Sequence, residues 1–298
     1  MIKNISKQFL PPIIYSVIQK VICKKNVNVY SPSWHFIEKG ILTGKELFVD
    51  TRGGYCKTEI IDGNHDQFIF DYLNDLYLQD ELFPIRGATV WDVGAHIGYH
   101  SLSFAALVGP SGHVVSFEPN PFNFNRLRQH INRNKELGER ITLMPCALSN
   151  VDGEEAFVFS PEIDNGYSSG SHLKQAFAPE EPQSYQSHSQ TKVRVAAADT
   201  LLRDKQIPVP SIIKIDVEGA ESLVLAGAQY LLSNVRPILL IEVHHILAMH
   251  DTLSILFRQG YHTEIMSDSP SSPSRCFLVA HPNYGSSSKK ETDRKNAQ

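Results

Sequence analysis

The chain is poor in cysteine, the residue that holds small secreted domains together and binds structural zinc. Its 298 residues include four cysteines, which are widely separated and form no Cys-x-x-Cys pair. We therefore predict neither a disulfide framework nor a zinc site, and a reducing, cytoplasmic location. The four residues are Cys23, Cys56, Cys146 and Cys276.

The sequence also lacks an excess of positive charge. It has 28 Lys and Arg against 32 Asp and Glu, a formal net charge of -4, and no long basic run. Proteins that bind nucleic acids usually carry a basic patch that neutralises phosphates, so we expect neither DNA nor RNA as a partner. A small molecule or a glycan is favoured as the acceptor instead.

The sequence contains no apolar run long enough to predict a membrane-spanning helix. The apolar stretch nearest the N-terminus, residues 13–23, is short, contains Gln19 and Lys20, and lacks a signal-peptide cleavage pattern. Its hydrophobic residues recur at helical spacing, which predicts an amphipathic helix. A peripheral contact of this helix with a membrane or a partner is the alternative.

Composition divides the chain into three parts. Residues 1–86 form an N-terminal extension, residues 87–284 an α/β domain and residues 285–298 a polar tail. The tail has almost no apolar side chain to bury, so we predict that it is disordered. In the extension, residues 46–50 and 55–61 flank an Arg-Gly-Gly turn, which predicts a β-hairpin between the amphipathic helix and a second helix over 66–78.

Short apolar runs alternate with helical patterns along the central part of the chain. Such runs are typical of parallel strands that are buried on both faces. They cover residues 88–93, 113–117, 141–144, 212–215 and 238–241. Asn120 and Pro121 form a cap and first-turn pair for one intervening helix. Val224, Ala228 and Leu231 mark one face of another.

Two further segments complete the predicted fold. Residues 261–266 and 276–280 indicate a hairpin that adds an antiparallel strand at the C-terminus. We therefore predict an α/β fold with a Rossmann-like sheet, mainly parallel, and ligands at the carboxyl ends of its strands. Residues 160–191 are rich in Ser, Gly, Pro and Gln with little periodicity, so we expect a substrate lid or a disordered loop.

The first predicted parallel strand ends in the sequence DVGAHIG, from Asp92 to Gly98. Two glycines there let the backbone turn sharply beneath a ligand before a helix begins, as in nucleotide-binding loops. The spacing lacks the third glycine of dinucleotide-binding folds, which disfavours a nicotinamide cofactor. A purely structural turn between strand and helix is the alternative.

An acidic residue, Glu118, ends the second predicted strand. At this position a carboxylate can accept hydrogen bonds from both hydroxyls of a ribose, which favours a nucleoside ligand. The alternative is a charge that only stabilises the start of the following helix.

Charged residues also end the next two predicted strands. Alternation along an extended strand places Lys214, Asp216 and Glu218 on one side, and Glu242 and His244 point the same way on the following strand. Charge clusters at strand ends often mark a site, although a salt-bridged structural network is the alternative. His244 is the candidate general base because an unperturbed imidazole titrates near neutral pH, whereas the carboxylates would need raised pKa values. Holding a divalent metal is a further alternative.

Five blocks of sequence resemble the FkbM family of methyltransferases in order and spacing, between about Val90 and His245. The blocks are DVGAHIGYHS, VVSFEPNPFNFNRL, ALSN with Gly153, IIKIDVEGAE and RPILLIEVHH. The resemblance implies a class I methyltransferase fold that binds S-adenosylmethionine, and usually O-methylation of sugars, polyketides or related metabolites. His96 departs from the family, which usually has Asn there, and Ala196 to Asp199 replace a usual Thr-Leu-Asp run.

The resemblance also implies the residues of the site. It places Lys214, Asp216, Glu218, Glu242 and His244 near the sulfonium of the cofactor. The implied cofactor-binding residues are Asp92, Gly94, Ala95, Gly98, Glu118, Pro119, Asn120, Cys146 and Ala147. The prediction is therefore an S-adenosylmethionine-dependent O-methyltransferase. A nicotinamide-dependent oxidoreductase and a noncatalytic nucleoside-binding module are the alternatives.

Overall fold

A computed structural model describes residues 33–49, 57–79, 85–159, 170–176, 189–266 and 276–283. The amphipathic helix predicted over residues 13–23 and the tail predicted over 285–298 lie outside these ranges. In the described part of the chain, no helix is both long and apolar enough to cross a membrane.

The described residues form strands and helices in the following order. The strands are β1 (Ser33–Phe36), β2 (Glu46–Val49), β3 (Thr89–Val93), β4 (His113–Phe117), β5 (Ile141–Met144), β6 (Ala147–Leu148), β7 (Gly153–Phe159), β8 (His172–Leu173), β9 (Ser189–Ala196), β10 (Ile212–Ile215), β11 (Ile238–Val243), β12 (Tyr261–Met266) and β13 (Cys276–Pro282). The α-helices are α1 (Lys57–Ile61), α2 (Gln67–Gln79), α3 (Tyr99–Val108), α4 (Pro121–Arg133), α5 (Lys135–Gly138), α6 (Ala198–Arg203), α7 (Glu221–Ala226) and α8 (Ile246–Arg258).

The central sheet has seven strands in the order β12-β13-β11-β10-β3-β4-β5. The five strands from β11 to β5 are parallel, and β13 runs antiparallel to both β11 and β12. Every residue of β10 and β11 is buried, as expected for parallel strands covered on both faces. This confirms the predicted α/β fold, its mainly parallel sheet and its C-terminal antiparallel strand.

The helices predicted beside the sheet are present, with one interruption. Asn120 caps α4 by accepting a hydrogen bond from the amide of Phe122, and Pro121 occupies the first turn, as predicted. The helix marked by Val224, Ala228 and Leu231 ends early, because α7 stops at Ala226 and a π-helical turn begins at Leu231. The three marker residues are nevertheless buried.

The N-terminal hairpin differs from the prediction. β2 pairs antiparallel with β1, and residues 57–61 form helix α1 instead of its partner strand. The reason lies in two consecutive isoleucines, Ile60 and Ile61, which are both buried. Neighbouring residues of a strand point to opposite faces, so a hairpin with one buried face would have exposed one of them. The helix predicted over 66–78 is confirmed as α2.

The N-terminal elements share a hydrophobic core with the sheet. Leu47 of β2 and Phe70 of α2 belong to the same buried cluster as Val90 of β3 and Phe104 of α3. Elements on both sides of residue 86 therefore bury their apolar faces together.

A second, smaller sheet has the order β6-β9-β7-β8. Its strands β8 and β9 include parts of the stretch that the sequence suggested to be a lid or disordered, so the disordered alternative is wrong for residues 172–173 and 189–191. Phe157 and Leu173 of this sheet pack in one buried cluster with Ala220, next to the end of β10. The small sheet thus forms a wall beside the carboxyl edge of the central sheet.

Candidate active site

A cleft opens at the carboxyl ends of β3, β4 and β10. It encloses about 630 Å³, part of it open to solvent. A cleft at this edge is where open α/β sheets bind their ligands. Six of the residues predicted from the sequence line it, namely Gly94, Glu118, Pro119, Ala147, Asp216 and Glu218.

Gly94 is the first residue of the loop that forms the floor of the cleft. Its φ is +82°, and a Cβ atom there would lie 1.8 Å from the carbonyl oxygen of Asp216. The amides of Gly94 and Ala95 both donate to the carbonyl of Phe117 in β4, at 3.1 and 2.9 Å. The loop is therefore held against two neighbouring strands, and only glycine fits at its first position.

Glu118 forms a buried carboxylate on the next strand end. Its Oε2 accepts from the amide of His96 at 2.7 Å and its Oε1 from the amide of Asn120 at 2.8 Å. Burial raises the pKa of Glu118 to about 7, against the effect of these hydrogen bonds. The Asn123 side chain adds a third hydrogen bond, so one of the four carboxylate lone pairs remains to accept from a ligand in the cleft.

Five of the predicted cofactor-binding residues do not line the cleft, and their contacts explain why. Asp92 accepts from Ser101 Oγ at 2.6 Å and is fully buried, while Asn120 caps α4. Cys146 lies in the core, where burial raises the pKa of its thiol to about 11. The five residues are Asp92, Ala95, Gly98, Asn120 and Cys146.

Lys214 lies behind the cleft and joins two strand ends. Its Nζ donates to Asp216 Oδ2 at 3.0 Å and lies 3.6 Å from Asp92 Oδ1. Burial alone would lower the pKa of Lys214, but the charges of Asp216 and Asp92 outweigh it and raise the pKa. Burial would likewise raise the pKa of Asp216, but the Lys214 and His244 charges lower it. Lys214 therefore positions Asp216 as an ionised carboxylate.

His244 lies at the centre of the acidic cluster beside the cleft. Its Nε2 is 3.6 Å from Asp216 Oδ1, 3.6 Å from Glu218 Oε2 and 3.9 Å from Glu242 Oε1. Burial would lower the pKa of His244, but the hydrogen bond with Glu221 and the carboxylate charges raise it to about 9. With this pKa the imidazole carries a proton at neutral pH, which disfavours His244 as the general base that the sequence suggested.

Glu218 has the properties expected of a base near neutral pH. Burial raises its pKa to about 7, although the charge of His244 opposes the shift. The chain leaves the extended conformation after Ile215, and Glu218 has a φ of +54°. The alternation of side chains along a strand therefore stops before Glu218, contrary to the prediction from the sequence. The turn nevertheless places the carboxylate of Glu218 next to His244, as that of Asp216 is.

Glu221 is a site residue that the sequence analysis missed. Its side chain is fully buried, and Oε1 lies 2.9 Å from His244 Nδ1 while accepting from the amide of Gly219 at 3.0 Å. A carboxylate at Nδ1 fixes the ring so that Nε2 faces Asp216 and Glu218. The sequence shows only that a charged residue stands at the start of a helix. The burial that marks Glu221 as a site residue is visible only in the structure.

Other residues of the cleft had no signal in the sequence. Asn123 lies on α4 and its side chain hydrogen-bonds Glu118. Phe157, Ser171 and Leu173 come from the small sheet and the turn beside it, and His96 comes from the glycine loop. The positions of Phe157, Ser171 and Leu173 depend on how the small sheet packs, which sequence periodicity does not reveal.

The acidic cluster could also hold a cation. Asp216, Glu218 and His244 each offer one ligand atom, and these atoms lie within 4.8 Å of one another. Lys214 already neutralises Asp216 at 3.0 Å, however, and so competes with a metal ion for that carboxylate.

The chain is similar to two curated methyltransferases. It is 30% identical to the hexuronic acid methyltransferase AglP of Haloferax volcanii over 176 residues, which are 59% of this chain and 64% of AglP. It is 27% identical to the 31-O-demethyl-FK506 methyltransferase FkbM of Streptomyces tacrolimicus, over 57% of this chain and 71% of that protein. The chain thus spans less than two thirds of the length of AglP.

A solved structure and a family model complete the comparison. The crystal structure of methyltransferase FkbM from Methylobacillus flagellatus KT aligns with 69% of this chain and 46% of its own, with a TM-score of 0.48 and 20% identity. The model of the methyltransferase FkbM domain matches residues 92–263, more than half of the chain. The resemblance drawn from the five sequence blocks is confirmed: this chain belongs to the FkbM methyltransferase family.

Proposed function

We propose that the protein is an S-adenosylmethionine-dependent methyltransferase that methylates a hydroxyl oxygen of a sugar, glycan or secondary metabolite. One observation carries the proposal. The cleft that contains the glycine loop and the buried Glu118 also contains Glu218, a carboxyl whose pKa is raised to about 7. A nucleoside-binding wall and a proton acceptor thus face the same space.

The residues of the cleft fit the cofactor. Gly94 lines the cleft without a side chain and lets the loop pack against the Asp216 carbonyl, and Glu118 offers acceptor capacity suited to ribose hydroxyls. Gly94, Glu118, Pro119 and Ala147 would hold S-adenosylmethionine. When bound, the cofactor supplies an electrophilic methyl group on a sulfonium.

The chain's own residues then position the acceptor and move its proton. Glu218 would accept the proton of the acceptor hydroxyl as the oxygen–methyl bond forms and the sulfur–methyl bond breaks, which leaves a neutral thioether. Asp216 stays ionised beside Lys214, and His244 stays charged between Asp216 and Glu218. Positioning can contribute about 7–11 kcal/mol to such a displacement, and a general base about 100- to 10,000-fold in rate.

The proposed class of acceptor is inferred from the names of the two similar proteins. One is named for a hexuronic acid and the other for a 31-O-demethyl compound. Both names are compatible with a polar, hydroxylated acceptor, and Glu218 needs a proton that a hydroxyl can give. We therefore extend the proposal to hydroxyls of sugars and related metabolites.

The experiment has two arms, binding and transfer. Calorimetry should detect S-adenosylmethionine and S-adenosylhomocysteine but not NAD, and a screen with methyl-labelled cofactor should find a sugar or hydroxylated metabolite that takes up the label. Binding of NAD in place of S-adenosylmethionine would overturn the proposal in favour of an oxidoreductase. Cofactor binding without transfer to any member of a broad panel would favour a noncatalytic module.

A further inference from the structure

A second cluster of metal-ligating side chains lies where the N-terminal segment meets α3. His65 and Asp66 precede α2, and His100 lies in the first turn of α3. Asp66 Oδ2 is 3.2 Å from His100 Nε2 and 3.6 Å from His65 Nε2. Each residue offers one ligand atom, and the three atoms lie within 4.8 Å of one another.

The spacing of these atoms fits a tetrahedral metal site. Zinc binds imidazole nitrogen and carboxylate oxygen at about 2.0–2.1 Å, so neighbouring ligand atoms of a tetrahedron lie about 3.3–3.4 Å apart. The two measured separations, 3.2 and 3.6 Å, lie on either side of this value. The carboxylate of Asp66 thus lies close to both imidazoles, and it is the neighbour that the two ring nitrogens share.

The chemistry and the burial of the cluster point to the class of ion. Two imidazoles and one carboxylate suit zinc and similar transition metals better than magnesium or calcium, which prefer oxygen ligands. The side chains of His65, Asp66 and His100 are 12%, 4% and 10% exposed. The site is thus shielded from bulk solvent, and His65 is its most exposed member.

The surroundings hold the two rings in place. The ring of His65 packs edge-on against Tyr99, and the ring of His100 stacks on Phe70. On its other side, His65 Nδ1 lies 3.7 Å from Glu59 Oε2. At 3.7 Å this carboxylate is beyond hydrogen-bonding distance, and it adds a negative charge beside the ring.

We propose that His65, Asp66 and His100 bind one zinc-like divalent ion, with the fourth position left to water. The ion ties the segment before α2 to the first turn of α3, directly after the glycine loop. The sequence pattern predicted no zinc site and offered a divalent metal only as an alternative for the acidic cluster, and residues 65 and 100 have no ligand-type spacing that would have indicated this site. The inference does not depend on the proposed methyl transfer.

The test uses the full chain, stripped of metal by a chelator, with Co²⁺ as an optical probe and Zn²⁺ in thermal melts. We expect one Co²⁺ with the visible absorption of a tetrahedral site, and a rise in melting temperature with Zn²⁺. His65→Gln and His100→Gln should each weaken Co²⁺ binding at least tenfold and remove the rise. His65 lies at the rim, so its variant keeps the test valid if the His100 variant fails to fold.

Two matched histidine variants serve as controls. His113→Gln, on β4, and His244→Gln, in the acidic cluster, should leave Co²⁺ binding unchanged. Absence of stoichiometric binding by the parent would overturn the inference. So would binding that is lost in His244→Gln and retained in His65→Gln, since the ion would then lie among Asp216, Glu218 and His244.

Discussion

At the scale of single residues, the surroundings of two carboxyl groups in the cleft shift their pKa values in opposite directions. Burial raises the pKa of Glu218 to about 7, whereas Asp216, two residues earlier, has a lowered pKa because Lys214 and His244 outweigh its burial. Neighbouring groups whose pKa values are driven apart commonly divide the roles of base and fixed charge. We therefore propose Glu218 as the base and Asp216 as the fixed charge.

The first prediction concerns the pH dependence of turnover. The pKa of Glu218 lies above the ordinary value, so its basic form appears, and turnover rises, as the pH increases through about 7. Burial has the largest effect on the pKa of Glu218. The charged groups that face its carboxyl also contribute, namely His244, Asp216, Glu242 and Glu221. His244 loses its proton near pH 9, which removes the positive charge between the carboxylates and should end the plateau.

The matched variant for this prediction is Glu218→Gln. It should lower kcat by about 100-fold or more, flatten the rise near pH 7 and leave cofactor affinity unchanged. A variant that kept both the parental rate and the parental pH profile would remove Glu218 from the mechanism.

The second prediction concerns cofactor affinity. Glu118→Ala should weaken S-adenosylmethionine binding by about 1–3 kcal/mol, because the ribose would lose a charged acceptor in a buried site. Calorimetry measures the change, with Glu154→Ala at the exposed start of β7 as the control. Equal affinity of parent and Glu118→Ala would refute the assignment of this residue.

At the scale of the elements, a buried ion pair links β3 and β10. Lys214 and Asp92 are register partners on these strands, and both side chains are at most 2% exposed. Ser101 and Ser116 extend the contact through hydrogen bonds of 2.6 and 2.8 Å. The structural network that the sequence left as an alternative is therefore present, alongside the cluster at the cleft.

The third prediction separates the two roles. Lys214→Met leaves Asp92 and Asp216 without their cation and should reduce the free energy of unfolding by about 3–5 kcal/mol, with cofactor binding and activity falling together. Asp216→Asn, at the cleft, should instead keep cofactor binding and lower turnover by about 100-fold. Urea unfolding and kinetics on the same preparations check both, with Lys135→Met on α5 as the exposed control. Parental stability of Lys214→Met would contradict the network.

The strands of the sheet could be predicted closely from the sequence, and the walls of the cleft could not. Residues 113–117, 141–144 and 212–215 were predicted with the bounds observed, because strands buried on both faces leave continuous apolar runs. The small sheet leaves no such run, since β8 is two residues long and β9 carries polar residues. The strand prediction for residues 57–61 was wrong because the local sequence pattern could not reveal that both isoleucines of this segment are buried.

The residues of the candidate site likewise include some that could be predicted from the sequence and some that could not. Glu118, Asp216 and Glu218 could be predicted because they follow apolar strands directly. Asn123 and Glu221 could not, because their roles depend on which side chain each one meets across the fold. The pKa shifts that favour Glu218 over His244 as the proposed base were also beyond the sequence, since they depend on burial and on Glu221.

At the scale of the whole molecule, His130 joins the N-terminal hairpin to the glycine loop. Its Nε2 accepts from the amide of Phe48 at 2.9 Å, and its Nδ1 donates to the carbonyl of Ile97 at 2.7 Å. Burial lowers the pKa of His130 to about 3, so the ring is neutral, as these two roles require. Together with the shared core, this contact makes the described N-terminal elements part of the main fold.

The fourth prediction is that the N-terminal hairpin unfolds together with the sheet. The chain has two tryptophans, Trp34 in β1 and Trp91 in β3. In Trp91→Phe, the fluorescence of Trp34 should change at the same urea concentration as the far-ultraviolet circular dichroism. Adding Leu47→Ala, at a fully buried position, should shift both transitions equally by about 2–5 kcal/mol. An earlier transition of Trp34 alone would show an independent unit.

The most direct test of the proposed chemistry is the position of the transferred methyl group. The full chain is incubated with S-adenosylmethionine carrying a ¹³C methyl group and with a hexuronic acid or another acceptor from the screen, and the purified product is examined by NMR. We predict a single ¹³C methyl signal coupled through an ether oxygen to a carbon of the acceptor, and its loss in Glu218→Gln. A label on nitrogen or carbon of the product, or an equal yield from Glu218→Gln, would contradict hydroxyl methylation with Glu218 as the base.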